Sequence, residues 1–157
     1  MKNHVLVLTI SSRDQAHNQL GLGNWVEAFY TLYNQGDDTN WFKLDNNRLA
    51  AGLEYNAQVM LNQTDALTYD PEFNSVKCNS SITPVDWPEI SDVGLWPTRP
   101  TWEMGYAIYK YLLGIELPKT RELIFKVAPD GPNPSTALAD GSAFQTLRFR
   151  REEDAEE

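Results

Sequence analysis

The chain has 157 residues, 41% of them hydrophobic, 11% aromatic and 22% charged; this is globular composition, sufficient for one domain with a core, and it argues against a chain disordered throughout. Its formal charge of −9, from 13 Lys and Arg against 22 Asp and Glu, argues against a nucleic-acid binder and against a binder of anionic membranes, because both need a cationic face. The single cysteine, Cys78, excludes an internal disulfide framework and any cysteine-built zinc site.

In chain order, residues 1–12 read as a frayed N-terminus in which His4 does nothing. The apolar run Val5 to Ile10 is too short for a signal-peptide core or a membrane span. The chain therefore reads as soluble, without a signal peptide, although the sequons Asn62-Gln63-Thr64 and Asn79-Ser80-Ser81 weigh slightly toward the secretory route. A helix is expected from about Arg13 to Gln35, started by a Ser12/Gln15 capping box. Leu22, Trp25, Val26, Phe29, Leu32 and Tyr33 form its apolar stripe, and Gly36-Asp37-Asp38 ends it. A second helix spans about Asn46 to Leu61, with Ala50, Leu53, Ala57 and Met60 on one face.

From about Asn62 to Pro100, five prolines among Asn, Asp and Ser predict a long loop. Pro100 opens a third helix carrying Trp102, Tyr106, Tyr109 and Leu113 on one face, and Gly114 stops it. A short fourth helix runs from Pro118 to about Val127, and Ala143 to Phe149 alternates like an extended segment. Residues 150–157 read as a disordered acidic tail, since Arg151 to Glu157 alone contributes −4 of the charge.

Four blocks in order carry a resemblance. They are Arg13-Asp14-Gln15-Ala16-His17 with Gln19-Leu20-Gly21-Leu22-Gly23; Asp45-Asn46-Asn47-Arg48-Leu49 with Gly52-Leu53-Glu54-Tyr55; Arg99-Pro100-Thr101-Trp102-Glu103 with Tyr106; and Asp140-Gly141 with Thr146-Leu147. Together they resemble the alginate lyase superfamily, whose helical toroids are built from α-hairpins and cleave uronic-acid polysaccharides by β-elimination. The likeness covers residues 13–149 and corresponds to the C-terminal part of such a domain. The α-hairpins that usually lie upstream have no counterpart, and Ile10 stands where the family commonly has an acid. The fold implied is mainly α: hairpins of an incomplete (α/α) toroid with long loops and a short C-terminal extended segment. Apolar faces left uncovered in such a piece would favour self-association. Export in the full-length family context is implied as well.

The chemistry of β-elimination asks for a cation to neutralise the uronate carboxylate, a base for the adjacent proton and an acid for the leaving oxygen. Side chains suffice, so neither metal nor cofactor is expected. Arg48 and Tyr55, seven apart, fall on one helix face with Cα atoms about 10.5 Å apart along the axis. Gly52 between them leaves room for a sugar ring. Arg48 offers a planar fork to a carboxylate, and its charge beside Tyr55 would favour the phenolate. His17, near the positive end of the first helix, reads as a neutral imidazole able to accept a proton or donate a hydrogen bond. The resemblance assigns catalysis to Tyr55, His17 and Arg48; Asn47, Gly52, Gln15 and Trp41 are the candidate substrate-binding positions.

Plainer readings stand beside these. Tyr55 could pack with its hydroxyl at the core edge, Arg48 could pair with Glu54 or Asp45 on the surface, and His17 could cap or pack. Arg13 with Asp14, and Arg99 with Glu103, read as structural ion pairs. Trp25 and Trp102 fit core stripes, whereas Trp41, Trp87 and Trp96, in loops, are the stacking candidates. Two functions follow: a polysaccharide lyase, or a fragment of one, acting on alginate or polyglucuronate, and a non-catalytic carbohydrate-binding or structural remnant of that family.

Overall fold

A computed structural model describes residues 14–65, 67, 89–95, 99, 101–126 and 145–151. The readings placed on His4, Ser12, Arg13, Cys78, Asn79, Trp87, Trp96, Asp140-Gly141 and the residues after 151 lie outside them. The described part is mainly helical, with no strand among the described residues.

Helix α1 spans Gln15–Asn34. Its N-cap is Asp14, whose carboxylate accepts a hydrogen bond from the His17 N–H at 3.0 Å. The helix thus starts two residues beyond the expected Arg13 boundary, capped by Asp14 and not by the expected Ser12, and the charge of Asp14 also suits the positive end of the helix. Leu22, Val26 and Phe29 are buried as expected, but Trp25 is 55% exposed. On a helical wheel Trp25 lies about 60° from Leu22 on the side away from Val26, and at that edge of the stripe packing leaves its face uncovered. The turn at Gly36 (φ +84°) ends the segment where the sequence placed the stop.

A 3₁₀ turn, Trp41–Lys43, leads into α2, Leu44–Met60. Asp45, Asn46 and Asn47 form a left-handed turn (φ 49°, 59° and 60°), and right-handed helix runs from Arg48 onward. Asp and Asn are the side chains that best tolerate this conformation, at about 1–2 kcal/mol per residue. The regular helix therefore begins later than the expected Asn46. Ala50, Leu53, Ala57 and Met60 are all buried, as their spacing requires.

Helix α3, Trp102–Ala107, widens into a π turn over Ile108–Leu112 before Gly114 (φ +65°) stops it. A uniform helix was expected; in the widened turn Tyr109 is fully buried with its hydroxyl donating to the Phe42 carbonyl at 2.8 Å. Burial pushes the Tyr109 phenol well above its usual range, against a smaller opposing effect of the Ala50 backbone. Helix α4, Pro118–Lys126, begins where Glu54 of α2 accepts from the N–H groups of Lys119 (3.0 Å) and Thr120 (2.8 Å). A carboxylate from another helix thus satisfies the amides that α4 leaves unpaired.

The segment ending at Phe149 forms a short helix, α5 (Gln145–Phe149), and not the expected extended arm. Its Phe149 ring meets Tyr30 edge-on at 5.7 Å, and α5 packs on α3. Alternation in sequence could not anticipate this, because the covering surface comes from α1 and α3, both distant from it in the chain.

The core lies where α2 packs on α1 and α4, and where α3 packs on α4. Edge-on contacts from Phe29 to Phe42 (5.6 Å) and from Phe42 to Tyr109 (5.8 Å) join α1, the 3₁₀ turn and the π turn. The loop before α3 is tied to the start of α1: Val93 O accepts from Gln15 N at 2.6 Å, Ser91 O from the Gln15 amide at 2.7 Å, and Gln19 Oε1 from Arg99 N at 2.7 Å.

Of the expected ion pairs, Arg13 with Asp14 lies outside the described residues, and the contacts the structure gives to Asp14, Arg99 and Glu103 are the following. Asp14 pairs with His17, Arg99 donates to the Ala16 carbonyl at 2.9 Å, and buried Glu103 pairs with Arg150. Arg150 also donates to Ile124 O at 2.9 Å, so residue 150 belongs to the packed part of the chain and not to the tail.

Candidate functional site

Between α1 and the start of α2 lies a cleft of about 230 Å³. Trp25 and Phe29 of α1 and Trp41 of the 3₁₀ turn contribute its aromatic walls, Gly52 lies along α2, and Arg48 and Asp45 bring a charge of each sign. Phe29 stands 5.4 Å from Trp25 and 5.9 Å from Trp41 between ring centroids, which makes one continuous aromatic surface. An aromatic surface suits the C–H face of a pyranose, while an adjacent guanidinium suits a carboxylate.

Arg48 is 61% exposed, with Nε 3.5 Å from Asp45 Oδ2. Of the two surface partners open to it in sequence, the structure shows Asp45, while Glu54 caps α4. The left-handed turn stands immediately before Arg48. Asn47, the last residue of that turn, is half-buried and does not line the cleft.

The structure therefore gathers Arg48, Gly52 and Trp41 around one cleft, but Tyr55, His17 and Gln15 are not among its lining residues. Tyr55 is half-buried further along α2. Gln15 is completely buried; its Oε1 accepts from Asn18 at 2.9 Å, so its amide serves the attachment of α1 to its surroundings. His17 is 46% exposed, and its Nδ1 lies 2.7 Å from both oxygens of Asp14. An ionised carboxylate only accepts, so Nδ1 carries a proton in this contact. The tautomer is thus set by Asp14, a local contact that the helix-end argument did not include.

Trp25 is the cleft residue that stripe reasoning assigned to the core; its position at the stripe's edge was the available signal. Asp45 was legible only as part of an Asp-Asn-Asn run, a composition suited to left-handed turns. Among the described residues no group of three or more His, Cys, Asp or Glu could hold a metal ion, and no helix is long and apolar enough to cross a membrane. No protein-family model, curated protein or solved structure matches the chain.

Proposed function

We propose that this chain is a polysaccharide lyase, or a segment of one, that takes a uronic-acid polysaccharide such as alginate or polyglucuronate at the Arg48 cleft and cleaves it by β-elimination. The observation that carries this reading is the union of Arg48, Gly52 and an aromatic wall in one cleft. In the proposed reaction Arg48 and His17 assist in neutralising the carboxylate and moving protons. Tyr55 takes the proton from the carbon beside the carboxylate, the C–O bond to the neighbouring sugar breaks as a C=C bond forms, and Tyr55 returns the proton to the leaving oxygen. The helices would be hairpins of an incomplete toroid, and the full-length enzyme would be secreted.

Incubation with each polymer should raise the ultraviolet absorbance of unsaturated uronate, and Tyr55→Phe should abolish the rise while leaving the helical circular dichroism unchanged. A folded wild-type protein that gives no rise with any uronan would overturn the catalytic reading.

A second reading, binding without cleavage, is favoured by one observation: Tyr55 and His17 are not among the residues that line the cleft. Oligouronate binding that Tyr55→Phe leaves intact, with no unsaturated product from either protein, would support it. Exposed Trp25, Tyr33, Leu44 and Val93 also support self-association, which sedimentation velocity should reveal as a concentration-dependent shift to larger species; a monodisperse monomer over the whole concentration range would exclude it.

A further inference from the structure

We propose that Asp45 is an in-chain carboxylate which a uronate carboxylate displaces from Arg48 while the sugar ring stacks on Trp25. This rests on the uronan reading above and names how the same cleft would tell an acidic sugar from a neutral one.

Three observations meet at this point. First, the Asp45–Arg48 pair is loose and wet: 3.5 Å between Oδ2 and Nε, with 56% and 61% of the side chains exposed. Exposed pairs of this kind are weak and readily exchanged. Second, Asp45 opens a turn of three successive left-handed, non-glycine residues beside the cleft. Strain of this kind persists only where surrounding structure holds it, and it gathers where ligands are handled. Third, Trp25 lines the same cleft with 55% of its surface exposed. A large aromatic is thereby open to solvent beside a guanidinium.

Charge complementarity selects the occupant. Arg48 and Asp45 are the charged residues among the described lining, and they cancel. With a formal charge of −9, the chain as a whole does not draw an anionic polymer from a distance. Discrimination must then be local. A neutral saccharide has nothing to exchange for Asp45, whereas a uronate offers the same group with a planar, bidentate fit to the guanidinium. The aromatic wall contributes to either sugar and does not discriminate between them.

The test is calorimetric titration of the full chain with an oligouronate and with the same oligosaccharide after reduction of its carboxyl groups to alcohols. Asp45→Asn keeps a side chain that tolerates the left-handed backbone, and it should bind the oligouronate about threefold more tightly by removing a weak competing pair. Its affinity for the neutral oligosaccharide should not change. Trp25→Ala should weaken binding of both by about fivefold through loss of the ring face, and Trp25→Phe should restore part of it.

The inference is overturned if Asp45→Asn binds the oligouronate no more tightly than wild type, or if Trp25→Ala leaves both affinities unchanged. Should the wild type bind and cleave the oligouronate while Asp45→Asn shows no gain, the inference fails alone. Should neither protein bind it and no unsaturated product form, the uronan reading fails with it.

Discussion

Asp14 does two things with one carboxylate, capping α1 and holding the His17 ring. Partial burial acts to raise its carboxyl, but hydrogen bonds from the His17 ring and backbone N–H outweigh burial and hold it below the ordinary carboxylate range. Because the folded value is depressed, the stabilisation is present above the unfolded carboxylate value and is lost as pH falls through the lower folded one. Asp14→Ala should cost about 1 kcal/mol at neutral pH, measured by urea unfolding. Asp14→Asn should keep most of the cap while losing the charge opposite His17. Its difference from wild type should therefore vanish in strong acid, and a difference that persists there would show that the charge is not the cause.

Among the elements, the loop before α3 depends on how closely its backbone approaches α1. Gly94 has φ +74°, and a Cβ there would lie 2.9 Å from the Ala16 backbone nitrogen. Both conformation and space therefore oppose a side chain. Gly36 has a similar φ of +84° but nothing within 4 Å of a built Cβ. Thermal unfolding should show Gly36→Ala costing about 1 kcal/mol, for backbone strain alone. Gly94→Ala should cost about 1–3 kcal/mol, because the neighbour is backbone and cannot swing aside. Equal losses at the two sites would mean that the Ala16 contact carries no energy.

Across the whole molecule, the Glu103–Arg150 pair joins α3 to the residue following α5, and Arg150 reaches α4 through Ile124 O. Glu103 retains only 7% of its side-chain exposure and Arg150 18%. Arg150→Ala leaves a buried carboxylate without this partner and should cost about 3–5 kcal/mol, a large part of the 5–15 kcal/mol typical of a domain. Chemical denaturation measures it. Glu103→Leu combined with Arg150→Met should recover most of the loss by removing the buried charges together; a double variant no better than Arg150→Ala would place the cost in lost Arg150 packing.

Local order along the chain was enough to determine the helix at α4, the stops at Gly36 and Gly114, and the buried face Ala50, Leu53, Ala57 and Met60. Each depends on periodicity or on a backbone preference carried by the residue itself. It also brought Arg48 and Gly52 together, since positions four apart on a helix are neighbours whatever surrounds them. Other outcomes needed the third dimension. Trp25 has the same helical spacing as a core residue, yet it is 55% exposed, and no element among the described residues covers its side of α1. Glu54 caps a helix that begins 64 positions later, α5 takes its form against α3, and Arg150 finds Glu103 across 47 positions. Periodicity tells which side chains share a face; only tertiary packing decides which faces are covered and which remain open to a ligand.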